Sequence, residues 1–286
     1  MSTSAFGMHA GSRRIPPFLL DLVDAPDAPV GPTPPQLDRA AAEKPPRTVA
    51  LHNPHNAALA QRIVSSTPSR VATGRAGTRY LTDTYLELRE DHAVAKDAVA
   101  AALPEDLAPR LGCIPVVSRC RDREQYLLYP NEGRRLSDES RARLAREGPQ
   151  AQDVVVIVAD GLSAPALELN GPRLLPALLA ALRSRGLSVG APILASMARV
   201  GLQDDVGVLL HARGTAICLG ERPGLGTGDS LSIYIAIGPK LDQDNAEKNC
   251  ISNIRPQGLS PEAAAQAAAE LLRKGLELGR GGLALT

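Results

Sequence analysis

Tryptophan is absent from this chain and phenylalanine occurs twice in 286 residues, so aromatic side chains make up only 2% of it. Proteins that hold single-stranded nucleic acid stack bases on such rings, and that mode is excluded. Charge of one sign is missing too: 32 Lys and Arg stand against 31 Asp and Glu, for a formal net charge of +1. No broad positive field exists to draw in a nucleic-acid backbone or an anionic membrane surface. The four cysteines, Cys113, Cys120, Cys218 and Cys250, show none of the close paired spacings of a structural zinc or iron–sulfur site, and a disulfide scaffold would be shorter and denser in cysteine. Free thiols in a reducing cytoplasmic setting are expected. No run approaches the roughly 18 uninterrupted apolar residues of a membrane span. The short patch from Phe18 to Val23 is preceded by Pro16 and Pro17 and broken by Asp21, which makes it a poor signal peptide. No internal repeat is visible. What the chain does hold is a hydrophobic fraction of 44%, ample for a buried core in one large soluble domain or in one domain plus an appendage.

Nine of the 24 prolines fall in the first 46 residues, so residues 1–46 are expected to be a tail or linker without a lasting packed element. Residues 47–110 form an expected helical lobe. Asn53-Pro54 predicts a helix opening, with Asn as cap and Pro in the first turn, where its missing donor is harmless. A second helix is predicted from Thr82 to Ala101 with Tyr85, Leu88, Ala95 and Val99 as its buried stripe. Between the two, Thr73 to Arg79 makes a loop with two glycines and two arginines, either a connector with solvated charges or a presenter of cations to a phosphate or carboxylate.

A charged helix is predicted from Ser137 to Glu147, after which the character of the sequence changes. Asp153 to Asp160 is a β-branched run too continuous for a strand with one wet face, so it belongs in a sheet covered on both sides. It ends at the polar turn Asp160-Gly161-Leu162-Ser163. A helix from about Pro172 to Arg185 follows, with Leu174, Leu175, Leu178, Leu179 and Leu182 on one face and Gly186 as its stop. Ala191 to Met197 is a predicted strand, Leu202 to Ala212 a helix, and Thr215 to Leu219 a strand. Ser260-Pro261-Glu262 caps a last helix that runs to about Leu278. Strands and helices that alternate through short connections pair in parallel by right-handed crossovers. The expected fold is therefore α/β: a Rossmann-like sandwich with a mostly parallel sheet over residues 111–286, preceded by the helical lobe and the proline-rich tail.

The segment Ile217-Cys218-Leu219-Gly220-Glu221-Arg222-Pro223-Gly224-Leu225-Gly226 carries the most functional information. An apolar strand that delivers its last residues to a glycine-rich loop with an acid, a base and a proline builds a small-molecule site at the strand's carboxyl end. Gly224-Leu225-Gly226-Thr227-Gly228 fails as a dinucleotide fingerprint, because Asp229 stands where a third glycine or alanine belongs and a strand-like run follows in place of a helix. His52 and His55 flank a helix opening, and His92 and Lys96 lie one helical turn apart on what reads as a hydrated face. No Gly-x-Ser-x-Gly elbow occurs and Cys250 has no histidine near it in sequence, so the chain shows no complete catalytic constellation of its own and no metal-ligand set.

Taken in order, Asn53-Pro54-His55, Thr73-Gly74-Arg75-Ala76-Gly77, Asp91-His92 with Lys96-Asp97-Ala98-Val99, Asp160-Gly161-Leu162-Ser163, Gly220 to Gly226 and Cys250-Ile251-Ser252-Asn253-Ile254 resemble the small subunit (light chain) of ethanolamine ammonia-lyase. The resemblance runs from about Asn53 to the terminal helix. It implies a carbon–nitrogen lyase subunit that is inactive without a large subunit, whose barrel holds the substrate, within a higher hetero-oligomer. It further implies adenosylcobalamin held between the two chains, radical chemistry, and products acetaldehyde and ammonia from ethanolamine. Three positions match the family's corrin-contacting residues: Val200 after the strand ending at Met197, Glu221 in the glycine-rich loop, and Cys250 at the start of its segment, all at strand ends or in the loops beyond. The Asp-x-His-x-x-Gly pattern of proteins that bind cobalt through histidine is missing, so this chain should not ligate the metal. Relatives found in bacterial microcompartments carry a short amphipathic helix near the N-terminus, and the proline-rich tail departs from that pattern. The rival readings are a nucleotide-binding α/β oxidoreductase and a non-catalytic scaffold for the large subunit.

Overall fold

The computed structural model describes residues 49–285 except residue 68, so the expected tail at 1–46 lies outside the described residues. The chain divides into two compact units between Ala72 and Thr73. In the first, helix α1 spans Ala57–Ser65 and is capped by Asn56, whose extended backbone lets its side-chain oxygen accept from the amide of Leu59 at 2.9 Å. The predicted opening at Asn53-Pro54 is thus displaced by three residues. Asn53 instead takes a left-handed conformation, φ 48°, which an asparagine tolerates and a cap does not use.

The second unit opens with a two-stranded antiparallel hairpin, β1 (Arg75–Ala76) and β2 (Arg79–Tyr80), which resolves the arginine-rich loop. Arg75 donates to Thr78 O at 3.2 Å and its guanidinium lies 4.7 Å from the Tyr80 ring centre. Within the chain, Arg75 therefore stitches its own turn. Helix α2, Thr82–Ala100, buries Thr84, Asp91 and Ala98, a line of positions seven apart. Leu88, Ala95 and Val99 are half-buried beside that line, but Tyr85, expected inside, is 52% exposed. The inward stripe is made of small and polar residues, and the apolar pattern alone could not show it.

The main body is a six-stranded sheet. Its strands are β3 (Ile114–Val117), β4 (Val154–Ala159), β5 (Ile193–Ser196), β6 (Gly214–Gly220), β7 (Leu231–Ile237) and β8 (Asn249–Ile254), in the spatial order β3-β5-β4-β6-β7-β8. The pairs β3–β5, β5–β4 and β4–β6 are parallel, while β6–β7 and β7–β8 are antiparallel. The expectation of parallel pairing holds wherever a helix returns the chain. The antiparallel minority begins at β6–β7, where no helix intervenes, only the glycine-rich loop, and a chain that turns back directly pairs antiparallel.

Helices cover the two faces unequally. On one face lie α3 (Leu107–Leu111), α6 (Ala164–Arg183) and α8 (Pro261–Leu278), whose buried residues pack with Val154, Val156, Val158, Cys218, Leu231, Ile233 and Ile235. On the other lie α5 (Asp138–Glu147) and α7 (Leu202–Leu209), packed on Val155, Ile157, Ala159, Ile193, Ala195, Ile217 and Leu219. Each buried Val, Leu or Ile side chain among them is worth about 1.5–3 kcal/mol. The short helix α4, Arg123–Leu128, sits at the carboxyl end of the parallel strands and buries Tyr126. Strands β4 and β6 are buried at every position, as a sheet interior covered twice requires.

Helix α6 begins at Ala164 under a Ser163 cap, eight residues before the predicted start at Pro172. Pro172 and Pro176 lie inside it, both on the exposed side. Four residues apart, they share one face, and the carbonyls left without a helical donor there open to water, so the helix continues where an interior proline would break it.

Candidate functional site

The chemistry-bearing residues collect at the carboxyl ends of β5, β4 and β6 and along one face of β7 and β8. Asp160 ends β4 at 3% exposure. Its carboxylate accepts from the amides of Met197 at 2.9 Å and Ala198 at 3.2 Å and from Arg123 Nη1 at 2.9 Å. Burial pushes this carboxyl up, and Arg123 and the two amides work against it. The bonds fix the turn after β5, where Met197 stands at φ 54°, outside the range most side chains prefer. Tyr126 supports the same turn by donating to Ala198 O at 3.0 Å, and its ring lies between the guanidinium groups of Arg123, 4.6 Å away, and Arg199, 4.2 Å away. Val200 follows on this braced turn. It is half-buried and packs on the apolar cluster beneath α7.

At the end of β6, Gly220 lies directly under the turn after β4. A Cβ on Gly220 would come within 2.1 Å of Ser163 O and 2.3 Å of Asp160 O, so no other residue fits without backbone movement. The loop beyond it is tied across its base and along its returning end. Glu221 N donates to Ser230 O at 2.9 Å, Ser163 Oγ to Gly228 O at 2.6 Å, and Asn170 Nδ2 to Asp229 O at 2.7 Å. The loop leads into β7 with no helix behind it, which confirms that its glycines do not form a dinucleotide-binding turn.

Strand alternation then arranges a polar row. Leu231, Ile233, Ile235 and Ile237 point to the face under α8, which sends Ser232 and Tyr234 to the other face, where Tyr234 packs on the same cluster as Val200. Cys250 pairs with Tyr234 across the β7–β8 ladder and so shares its face. Glu221 Oε1 accepts from Ser232 Oγ and from the amide of Asn253, the latter at 2.9 Å. Glu221 itself is half-buried, Cys250 exposed and Ser232 buried. An ion pair between Glu221 and Arg222 is not among those of the described residues. Burial pushes the Cys250 thiol up, partly offset by hydrogen bonds with Tyr234 and Ser232, and raised again by the Glu221 charge. Tyr234, on the same row, is pushed up to about 12, chiefly by burial. Both groups are therefore neutral near pH 7. Cys250 is a polar contact in this state, and not a thiolate nucleophile.

Of the three positions singled out in the sequence, Glu221 and Cys250 lie on one face around Ser232 and Tyr234, while Val200 packs on the same broad apolar cluster as Tyr234 and no contact joins it to the other two. Cys250 stands inside β8, level with the middle of β6, and not in a loop beyond a strand as expected. Ser232 and Tyr234 were missed, although two polar residues at alternate positions in an otherwise apolar run are a visible signal. Asp160 was noted only as a turn residue. Its partner Arg123, and Tyr126 that braces the same turn, come from a distant helix and leave no local pattern. His52, His55, His92 and Lys96 are all exposed, and no group of three or more His, Cys, Asp or Glu among the described residues could hold a metal ion. No described helix is long and apolar enough to cross a membrane.

Comparison with known proteins agrees with the motifs. Residues 57–286 match the family model of the ethanolamine ammonia-lyase light chain (EutC). The chain is 42% identical over 229 residues to the ethanolamine ammonia-lyase small subunit of Fusobacterium nucleatum subsp. nucleatum, a match that covers 80% of this chain and 78% of that protein.

Proposed function

The chain belongs to the ethanolamine ammonia-lyase light-chain family, and on that premise we propose that Val200, Glu221 and Cys250 contribute to one wall of an adenosylcobalamin site, closed by the large subunit. The protein is a subunit of a lyase, and its small-subunit character implies a large-subunit partner. The substrate is ethanolamine and the products are acetaldehyde and ammonia. The domain that carries the wall, residues 111–286, is Rossmann-like.

The residues present suit a corrinoid. Its rim is a ring of primary amides, each able to donate and accept, around an apolar plane. Glu221 Oε1 is engaged by Ser232 and Asn253, and no donor among the described residues bonds Oε2. A carboxylate oxygen left free on a half-buried residue, near a neutral thiol and a neutral phenol, suits an amide-bearing, largely apolar ligand. It suits a metal ion poorly. This is the observation that carries the reading.

When bound, adenosylcobalamin supplies a weak cobalt–carbon bond, the source of the radical that starts the reaction. The work of this chain is binding and orientation. Glu221 accepts a hydrogen bond from an amide N–H at the rim, Val200 and Cys250 contribute main-chain groups and apolar area, and Tyr234 keeps water from the plane. The hydrogen-atom and amino-group transfers belong to the partner's substrate pocket.

Retention of adenosylcobalamin after gel filtration, read by visible absorption, tests the proposal on this subunit, the large subunit and their mixture. Only the mixture should hold cofactor. With Glu221→Ala the mixture should bind about tenfold more weakly, the equivalent of one hydrogen bond to a charged group, while the variant stays folded. A large subunit that holds the cofactor and turns over unaided would leave this chain as a scaffold.

A further inference from the structure

Strand β8 contains an irregularity placed where the carboxylate of Glu221 needs a donor. Leu231 pairs with Ile254 and Ile233 with Ile251, so β8 is one residue longer than β7 over the same stretch. That is a β-bulge, and the extra residue falls at Ser252-Asn253. Asn253 adopts φ 59°, the left-handed conformation in which asparagine is among the few tolerated side chains. The bulge frees the amide of Asn253 from the ladder and directs it to Glu221 Oε1 at 2.9 Å. Behind it the chain is tightly backed. Asn253 O accepts from Leu259 N at 2.8 Å, and a Cβ on Gly258 would lie 2.2 Å from that same oxygen. On the other side Ser232, only 2% exposed, spends its hydroxyl proton on the same Oε1. Two donors from two strands converge on one oxygen and none bonds the other.

We infer that Ser232 and the Asn253 bulge are positioning residues that aim Glu221, pinning Oε1 so that Oε2 is left as the acceptor for an amide N–H on the corrinoid rim. The inference rests on the proposed cofactor wall and adds to it a reason for the bulge. Bulges that terminate or re-aim strands are common beside functional sites, and this one re-aims a main-chain donor in place of a side chain. A carboxylate held by two donors loses its rotamer freedom before the ligand arrives, so less ordering is needed at binding.

The test uses the reconstituted two-subunit enzyme and titration with adenosylcobalamin followed by its absorption, with KM for cofactor, kcat and melting temperature measured on the same samples. Ser232→Ala should weaken cofactor binding about five- to tenfold with kcat at saturating cofactor unchanged, and Ser232→Thr, which keeps the hydroxyl, should restore it. Asn253→Gly keeps the amide and the positive φ and should bind normally, whereas Asn253→Val, β-branched and hostile to that conformation, should bind weakly. Ser232→Ala is decisive if Asn253→Val lowers the melting temperature. Unchanged affinity in Ser232→Ala, with or without a drop in melting temperature, overturns the positioning role. Glu221→Ala separates the two levels: if it weakens binding while Ser232→Ala does not, the wall stands and the aiming device is wrong, and if Glu221→Ala binds normally, the wall itself is wrong.

Discussion

The four parallel strands β3, β5, β4 and β6 and the two antiparallel strands β7 and β8 belong to one sheet but lead different lives. β4 and β6 are buried at every residue, whereas β8 is buried only at Ile254. The parallel part is built through helices that return the chain and cover both faces. The antiparallel part is reached by a loop and a 3₁₀ turn; β7 is still buried everywhere but at half-buried Tyr234, and it is β8 that stands open around Cys250 and Ser252. A sheet that is fully wrapped can offer a ligand only its strand ends, but one that is half-wrapped can offer a surface. This protein does both side by side, with Glu221 at the seam. Changes in the wrapped half should therefore cost stability, and changes in the open half should cost binding.

The largest expected effect is at the buried pair Lys248–Asp204, 2.9 Å apart with both side chains 1% exposed. It joins the residue before β8 to the first turn of α7, so it ties the open half to the wrapped one. Lys248→Ala leaves Asp204 without its cation and should cost about 3–5 kcal/mol in urea unfolding. Lys248→Met with Asp204→Leu should recover most of that. A cost near zero for the single change would mean that the two halves are not mechanically joined there. Next in size is Gly220→Ala, where the new methyl meets the carbonyls of Ser163 and Asp160. We expect a loss of about 1–3 kcal/mol from overpacking, and cofactor retention should fall with it, since this position lies in both halves.

A smaller effect separates the halves by reactivity. Cys113, Cys120 and Cys218 are buried and Cys250 is exposed. Burial pushes Cys113 and Cys218 up to about 12. A thiol reagent should modify Cys250 alone in the native subunit and the other three only after denaturation. The rate should climb with pH, because the Cys250 thiol is also pushed up and its thiolate forms only in the alkaline range. Large subunit plus adenosylcobalamin should protect it. The smallest effect belongs to the outer surface of α8, where Glu270 is held down to about 2 by hydrogen bonds from Arg273. A carboxyl lowered on folding stabilises the protein above its unfolded value, and that contribution is lost as pH falls through about 2. Glu270→Gln should remove only this acid-range, salt-sensitive component of the melting temperature and leave cofactor binding untouched.

The wrapped half was largely legible because its signals are local. The run Val154 to Ala159 could only be an interior strand, and Ser260-Pro261 announces α8 where it begins. Misreadings arose where a local rule met a tertiary exception. Pro172 and Pro176 survive in α6 because their side of it is wet, and Tyr85 faces out because α2 turns Thr84, Asp91 and Ala98 inward. In the open half, the glycine-rich loop marked the neighbourhood of Glu221 on physical grounds, but its role there and Cys250 altogether came from the resemblance. The bulge did leave a trace. Ile251 and Ile254 both pack toward α8 although they are three apart, and a regular strand allows only even spacings on one face. The Asp160–Arg123–Tyr126 brace joins segments far apart in sequence, and no window of sequence contains it.

The bulge at Asn253 also bears on the life of the subunit before assembly. β8 is the last strand of the sheet, and its outer rim is a row of main-chain groups that a second copy could zip onto. An interruption of the regular repeat near the end of that rim, with a left-handed residue in it, spoils the template for edge-to-edge growth. A chain that must wait for a larger companion is thereby protected from joining its own kind.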